Sequence, residues 1–135
     1  MSTAVPSDKI FLIEDNMEVS RMYERAFRLN GYEIEIAYDG ETALQRLSDK
    51  ESLPSAIVMD VMIPHLNGVE LLERFRQDPR LAQVPVAVLT NSFRKEDEER
   101  FLALGAKLYM VKIDHRSAEV VEKIERLIRG NETHP

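Results

Sequence analysis

A chain of 135 residues with a formal net charge of −6 and no cysteine has room for one domain with its own core, and it excludes disulfides, thiolate catalysis and cysteine zinc sites. Its acidic balance argues against broad nucleic-acid binding, which needs clustered Lys and Arg, and suits a metal cation or a basic partner. No apolar run approaches a membrane span and Met1 to Lys9 lacks the apolar stretch of a signal peptide, so a cytoplasmic location without membrane or nucleic-acid partners is expected.

The elements alternate strand and helix. Lys9–Glu14 reads as a strand. Asn16–Asn30 reads as a helix whose apolar face is Val19, Met22, Tyr23, Ala26 and Phe27, stopped by Gly31. Glu33–Ala37 alternates apolar and charged residues, as an edge strand does. Asp39-Gly40 turns into a helix carrying Ala43, Leu44 and Leu47. Ala56–Asp60 is nearly all apolar and belongs in the sheet centre. A helix from about Gly68 to Arg76 ends at Asp78-Pro79. Val84–Thr90 is a fourth strand and Lys107–Val111 a fifth. Between them, Arg94–Leu104 is helical in propensity but weakly anchored, with only Phe101, Leu102 and Leu104 to hold it before Gly105. Ser117 is the expected N-cap of a last helix with Val120, Val121, Ile124, Leu127 and Ile128 on its face. The expected organisation is a loose segment over 1–8, one domain over 9–130 and a polar tail over 131–135.

Such alternation gives an α/β fold, a parallel sheet covered on both faces. Right-handed crossovers leave few topologies, and the flavodoxin-like order 2-1-3-4-5 fits, with five helices and its switch point between strands 1 and 3. Glu14-Asp15 and Asp60 then flank that switch point at the carboxyl edge of the sheet, where ligands bind in open α/β sheets. Lys112 ends strand five on the same edge and Thr90 ends strand four. Two carboxylates about 4 Å apart repel by about 4 kcal/mol at an effective dielectric near 20, so one protonates or a cation sits among them. An all-oxygen acidic cluster suits Mg²⁺. A metal beside a carboxylate nucleophile, with an ammonium nearby, is a set of parts for phosphoryl transfer to aspartate.

Glu14-Asp15, Asp60, Thr90 and Lys112, with Pro64 and Gly68 after the central Asp, resemble the receiver domain of two-component response regulators, over about Lys9 to Arg129. The resemblance implies that Asp60 accepts a phosphoryl group from the phosphohistidine of a sensor histidine kinase or a histidine phosphotransfer protein. It implies Mg²⁺ held by Asp15 and Asp60, with Glu14 acting partly through water and the Met62 backbone carbonyl adding a ligand. Lys112 would neutralise phosphoryl oxygens, Thr90 would swing toward the phosphoryl group, and Tyr109 would follow it inward. The face of helix 4, strand 5 and helix 5 would change shape and pass the signal to a downstream protein or to a second copy in a homodimer. The expected protein is a stand-alone regulator without an output domain, resembling the partners of phytochrome-type or hybrid kinases. It is a phosphoacceptor that slowly dephosphorylates itself, not a dedicated enzyme.

The chain departs from the family at three places. Ile113 stands where a cis proline usually follows the lysine. A cis bond there would cost roughly 2.5–4 kcal/mol, so a trans loop of different shape, with an altered aim of Lys112, is expected. Asn91 replaces a small residue after Thr90, and Met62 is apolar at a position that helps set the dephosphorylation rate; both favour slow aspartyl-phosphate hydrolysis. The rival readings are a receiver-like interaction domain that no longer accepts phosphate, and a Mg²⁺-dependent aspartyl-phosphate phosphatase of the haloacid-dehalogenase class. The latter wants an acid two residues after the nucleophile, where this chain has Met62. A flavin module would want a first loop rich in Ser, Thr and Gly, not Glu14-Asp15-Asn16. His65, His115 and His134 lack ligand spacing and read as solvated.

Overall fold

A computed structural model describes residues 8–62 and 67–130. Five strands, β1 (Lys9–Ile13), β2 (Glu33–Ala37), β3 (Ala56–Met59), β4 (Val86–Thr90) and β5 (Leu108–Val111), alternate with α1 (Met17–Leu29), α2 (Gly40–Asp49), α3 (Gly68–Gln77), α4 (Lys95–Ala103) and α5 (Ser117–Ile128). The strands form one parallel sheet in the order β2-β1-β3-β4-β5, the flavodoxin-like topology expected.

Successive strand residues point to opposite faces, and this parity splits the core in two. Phe11, Ile13, Ile57, Met59, Val88 and Tyr109 meet Ala43 and Leu47 of α2, Leu71, Leu72 and Phe75 of α3, and Phe101 of α4. Ile10, Leu12, Val58, Leu89 and Met110 meet Tyr23 and Phe27 of α1, and Val120, Val121, Ile124 and Leu127 of α5. β3 and β4 are buried along their whole length, as central parallel strands must be. Among the described residues no helix is long and apolar enough to cross a membrane.

Four expectations need correction. Met22 is 48 % exposed despite its place in the apolar spacing. Buried Ser20 takes the inner position instead, its hydroxyl donating to the Met17 carbonyl. Val84 is not in β4; it closes a single 3₁₀ turn over Leu81–Gln83, and the strand starts after Pro85, which has no N–H to give. Ser117 is the first residue of α5, not its cap. The cap position is Arg116, whose backbone N–H donates to the Glu119 carboxylate at 3.2 Å. Asp8 is buried, its carboxylate accepting from Ser55 Oγ and pairing with Arg129, so Asp8 is packed and does not belong to the loose segment expected over 1–8. Pro64, His65, His134, the segment 1–7 and the tail 131–135 lie outside the described residues.

Candidate functional site

Parallel register sets Ile13 beside Met59, so the next residues, Glu14 and Asp60, leave the sheet side by side. Both are still fixed by ladder-like bonds: Asp60 N–H donates to the Ile13 carbonyl and Glu14 N–H to the Ala37 carbonyl, each at 3.0 Å. Their side chains are nearly closed off from solvent, whereas Asp15 is exposed at the rim. Thr90 and Val111 are partners in the last rung between β4 and β5, which brings Lys112 to the same edge.

The Lys112 ammonium spans two acids. Nζ donates to Glu14 Oε1 at 2.5 Å and to Asp60 Oδ2 at 2.7 Å. The remaining oxygens are also engaged: Asp60 Oδ1 accepts the Met62 N–H at 2.9 Å, and Glu14 Oε2 accepts the Asn16 N–H at 3.0 Å. Burial raises the Glu14 pKa above its usual range, against the opposing hydrogen bonds from Lys112 and Asn16. Burial also works to lower the Lys112 pKa, but its bonds to Asp60 and Glu14 and their charges outweigh this, and the net shift is upward. The lysine is therefore an ammonium at neutral pH.

One ammonium does not balance three carboxylates. One oxygen from each of Glu14, Asp15 and Asp60 lies within 4.8 Å of the others. This compact, hard, all-oxygen set with surplus negative charge fits Mg²⁺, which takes one or two carboxylates and keeps several waters. The Met62 backbone belongs to the same rim through its bond to Asp60.

Thr90 is fully buried at the end of β4, and its Oγ1 accepts the Ser92 N–H at 3.4 Å. Tyr109 is buried and stacks on Phe101, with ring centroids 6.4 Å apart. Its hydroxyl donates to the Ser92 carbonyl at 2.8 Å. Burial raises the Tyr109 pKa, so that donor proton stays in place. Sequence reasoning did not single out Ser92, which touches both Thr90 and Tyr109; its one signal was its place in the loop directly after the site threonine.

A family model described as the response regulator receiver domain matches residues 10–125. The chain belongs to this family. It is therefore the receiver domain of a response regulator in two-component signalling. The transcriptional regulatory protein PrrA of Mycobacterium tuberculosis is 36% identical over 129 residues, covering 96% of this chain and 53% of that protein. The chain thus spans about half the length of the curated relatives it matches. The phosphorylated cyanobacterial phytochrome response regulator RcpA is similar at a TM-score of 0.82 and 28% identity, covering 95% of this chain and 98% of that one. The receiver domain of a sensor histidine kinase from Pseudomonas aeruginosa PAO1, with a magnesium ion coordinated in its active-site cleft, is similar at a TM-score of 0.80 and 28% identity, covering 90% and 98% of the two chains.

Proposed function

We propose that Asp60 is the phosphoacceptor of a stand-alone response regulator, and that the donor is a phosphohistidine on a sensor histidine kinase or histidine phosphotransfer protein. The observation that carries this is Lys112 bridging Glu14 and Asp60 beside an acidic cluster of metal-binding size. Asp15 and Asp60 would hold Mg²⁺, with Glu14 acting through water and the Met62 carbonyl as a further ligand. When bound, the ion neutralises charge on the transferring phosphoryl group.

The Asp60 carboxylate attacks phosphorus, the P–N bond breaks, and the electron pair leaves with the imidazole nitrogen, which takes up a proton. Lys112 carries positive charge to the oxygens of the group being transferred. Thr90 supplies a hydroxyl donor from the end of β4 once it turns toward the phosphoryl group. Tyr109 already lies inward, its hydroxyl on the Ser92 carbonyl, and would link that turn to the α4–β5–α5 face, so the phosphoryl group selects one of two states by its contacts. The chain acts as a phosphoacceptor and not as a dedicated enzyme. Asn91, exposed directly after Thr90, favours slow loss of the phosphoryl group.

A macromolecular donor is supported by what surrounds the pocket. Four large apolar side chains are exposed on the segments that leave the carboxyl ends of β1, β3, β4 and β5: Met17, Met62, Phe93 and Ile113. Exposed apolar groups gathered around a polar centre mark an interaction surface. The stand-alone arrangement follows the phytochrome response regulator RcpA, of whose solved chain 98% is matched. The size of the native protein on an immunoblot separates it from the longer arrangement of the curated relatives.

The decisive experiment is intact-mass measurement after acetyl phosphate with Mg²⁺. Wild type is expected to gain one phosphoryl group and Asp60→Ala none. No gain in wild type favours a receiver-like domain that refuses phosphate, and equal labelling of the variant overturns the assignment of Asp60.

A further inference from the structure

β2 is the outermost strand on one side of the described sheet, and its peptide groups alternate in direction. Glu33 N–H donates to the Asp8 carbonyl and the Ala37 carbonyl accepts the Glu14 N–H, so residues 33, 35 and 37 turn their backbone toward β1. Ile34 and Ile36 therefore turn theirs outward. A row of outward donors and acceptors is a template for another strand.

Two arginines cover that row. Arg28, in the last turn of α1, donates from Nη2 to the Ile34 carbonyl at 3.4 Å. Glu24 steadies the guanidinium, accepting from Nε at 3.2 Å and from Nη2 at 3.1 Å. Arg46, in the last turn of α2, donates from Nη1 to the Ile36 carbonyl at 2.9 Å. Glu35 lies 3.8 Å from the same nitrogen and pairs with Lys50 as well. α1 packs on the sheet face of Ile10 and Leu12, and α2 on the face of Phe11 and Ile13. The two guanidiniums thus close on the edge from opposite sides, and each occupies one outward carbonyl.

The strand that fits this edge is a second β2. A two-fold axis through Glu35 sets Ile34 of each chain opposite Ile36 of the other, and such a pair exchanges both its N–H···O=C bonds. The same axis sets the two Glu35 residues directly opposite, in the closer kind of antiparallel pair, where like charges repel.

We propose that the outer edge of β2 is a self-pairing surface held shut by Arg28 and Arg46, with Glu35 as a further barrier, so that the domain does not join a second copy through its sheet. The arginine side chains are 55% and 48% exposed, and ion pairs so placed add little to the stability of a single chain. Their effect is to occupy the two carbonyls that a second strand needs. The inference is independent of the reading of Asp60.

The test is sedimentation velocity over a concentration series, with amide hydrogen exchange read at Ile34 and Ile36. Arg28→Ala/Arg46→Ala removes both donors, keeps good helix formers and adds no long apolar side chain. It is expected to dimerise about tenfold more tightly than wild type, as two freed hydrogen-bonding sites allow. The Ile34 and Ile36 amides should slow in that dimer, and the thermal midpoint at low concentration should stay close to that of wild type. Adding Glu35→Thr is expected to tighten the dimer further. If the double variant does not fold, Glu35→Thr/Arg46→Ala decides in its place. Variants that associate no better than wild type, or that associate with Ile34 and Ile36 exchanging as in the monomer, overturn the proposal. So does a wild type whose own Ile34 and Ile36 amides slow as concentration rises.

Discussion

Replacing Lys112 with methionine tests the electrostatics of the site directly. The lysine side chain is 12% exposed, and its partners Glu14 and Asp60 are 3% and 8% exposed, so this is a buried cluster and not a surface ion pair. Removing one partner of a buried pair destabilises by about 3–5 kcal/mol, because a charge is left uncompensated. Protonation of a carboxyl group offers an escape, so the lower end, about 3 kcal/mol, is expected in metal-free buffer at pH 8. That is a fall in Tm of about 10 °C for a domain of this size.

The sign with pH follows from the two shifts. The raised pKa of Lys112 means that its contribution is complete below the ordinary lysine value and is lost only as pH rises through the folded value. The raised pKa of Glu14 means that the fold favours its protonated form, so acidification through that pKa adds stability. Methionine strips away the hydrogen bond and charge that oppose this rise, and the Glu14 pKa climbs further. The stability gap between wild type and variant should therefore narrow from pH 8 to pH 5. Magnesium should stabilise the variant more than wild type, because no ammonium competes for the Glu14 and Asp60 oxygens. Thermal melts with EDTA and with Mg²⁺ at both pH values measure all of this. A gap below about 1 kcal/mol at pH 8, or one that does not change by pH 5, would refute the reasoning.

Gly68→Ala would push a Cβ to 2.9 Å from Val61 Cα and Cβ; a loss of about 1–3 kcal/mol in urea unfolding with weaker Mg²⁺ binding is expected, since Val61 lies between Asp60 and Met62, and an unchanged midpoint would count against it. Asn91→Ala should shorten the life of the Asp60 phosphate severalfold in a radiolabel chase, and a wild-type lifetime of mere seconds would sink that account. Ile113→Ser should leave acetyl phosphate labelling unchanged while slowing transfer from a phosphohistidine protein about tenfold, as truncating an apolar anchor at an interface does. Equal slowing with both donors would place Ile113 in the chemistry and not in docking.

The sheet order was legible because hydrophobic runs and crossover rules leave few arrangements, and the acidic edge because the first, third, fourth and fifth strands each lead into a polar residue of the site. Local competition was not legible. Met22 follows the helical spacing of Tyr23 and Phe27, yet Ser20 takes the inner place because its hydroxyl finds the Met17 carbonyl within the helix. Val84 and Ser117 were misassigned by one or two residues, where a 3₁₀ turn and a backbone bond to Glu119 set the boundary. The weak apolar pattern of Arg94–Leu104 correctly indicated a lightly held helix. The Arg76 bond to the Leu104 carbonyl, across 28 residues, and the Tyr109 bond to the Ser92 carbonyl, across 17, join distant segments and leave no periodic trace.

Ile113 shows how one departure from the family pattern is absorbed. Without a proline after Lys112, the sequence suggested a lysine aimed elsewhere. The described residues contain no cis peptide bond, and the chain turns through one 3₁₀ turn over Lys112–Asp114. That turn is closed by His115 N–H donating to the Lys112 carbonyl at 3.2 Å, and His115 Nδ1 lies 2.9 Å from the Val111 carbonyl. The lysine is aimed from the other side as well, since Val111 is registered against Thr90 and two carboxylates hold the ammonium. The sheet and the acids thus fix the direction of Lys112, which frees the next position from any duty in the pocket. Isoleucine uses that freedom to stand 80% exposed, next in sequence to the ammonium and on the rim that the proposed donor protein would approach.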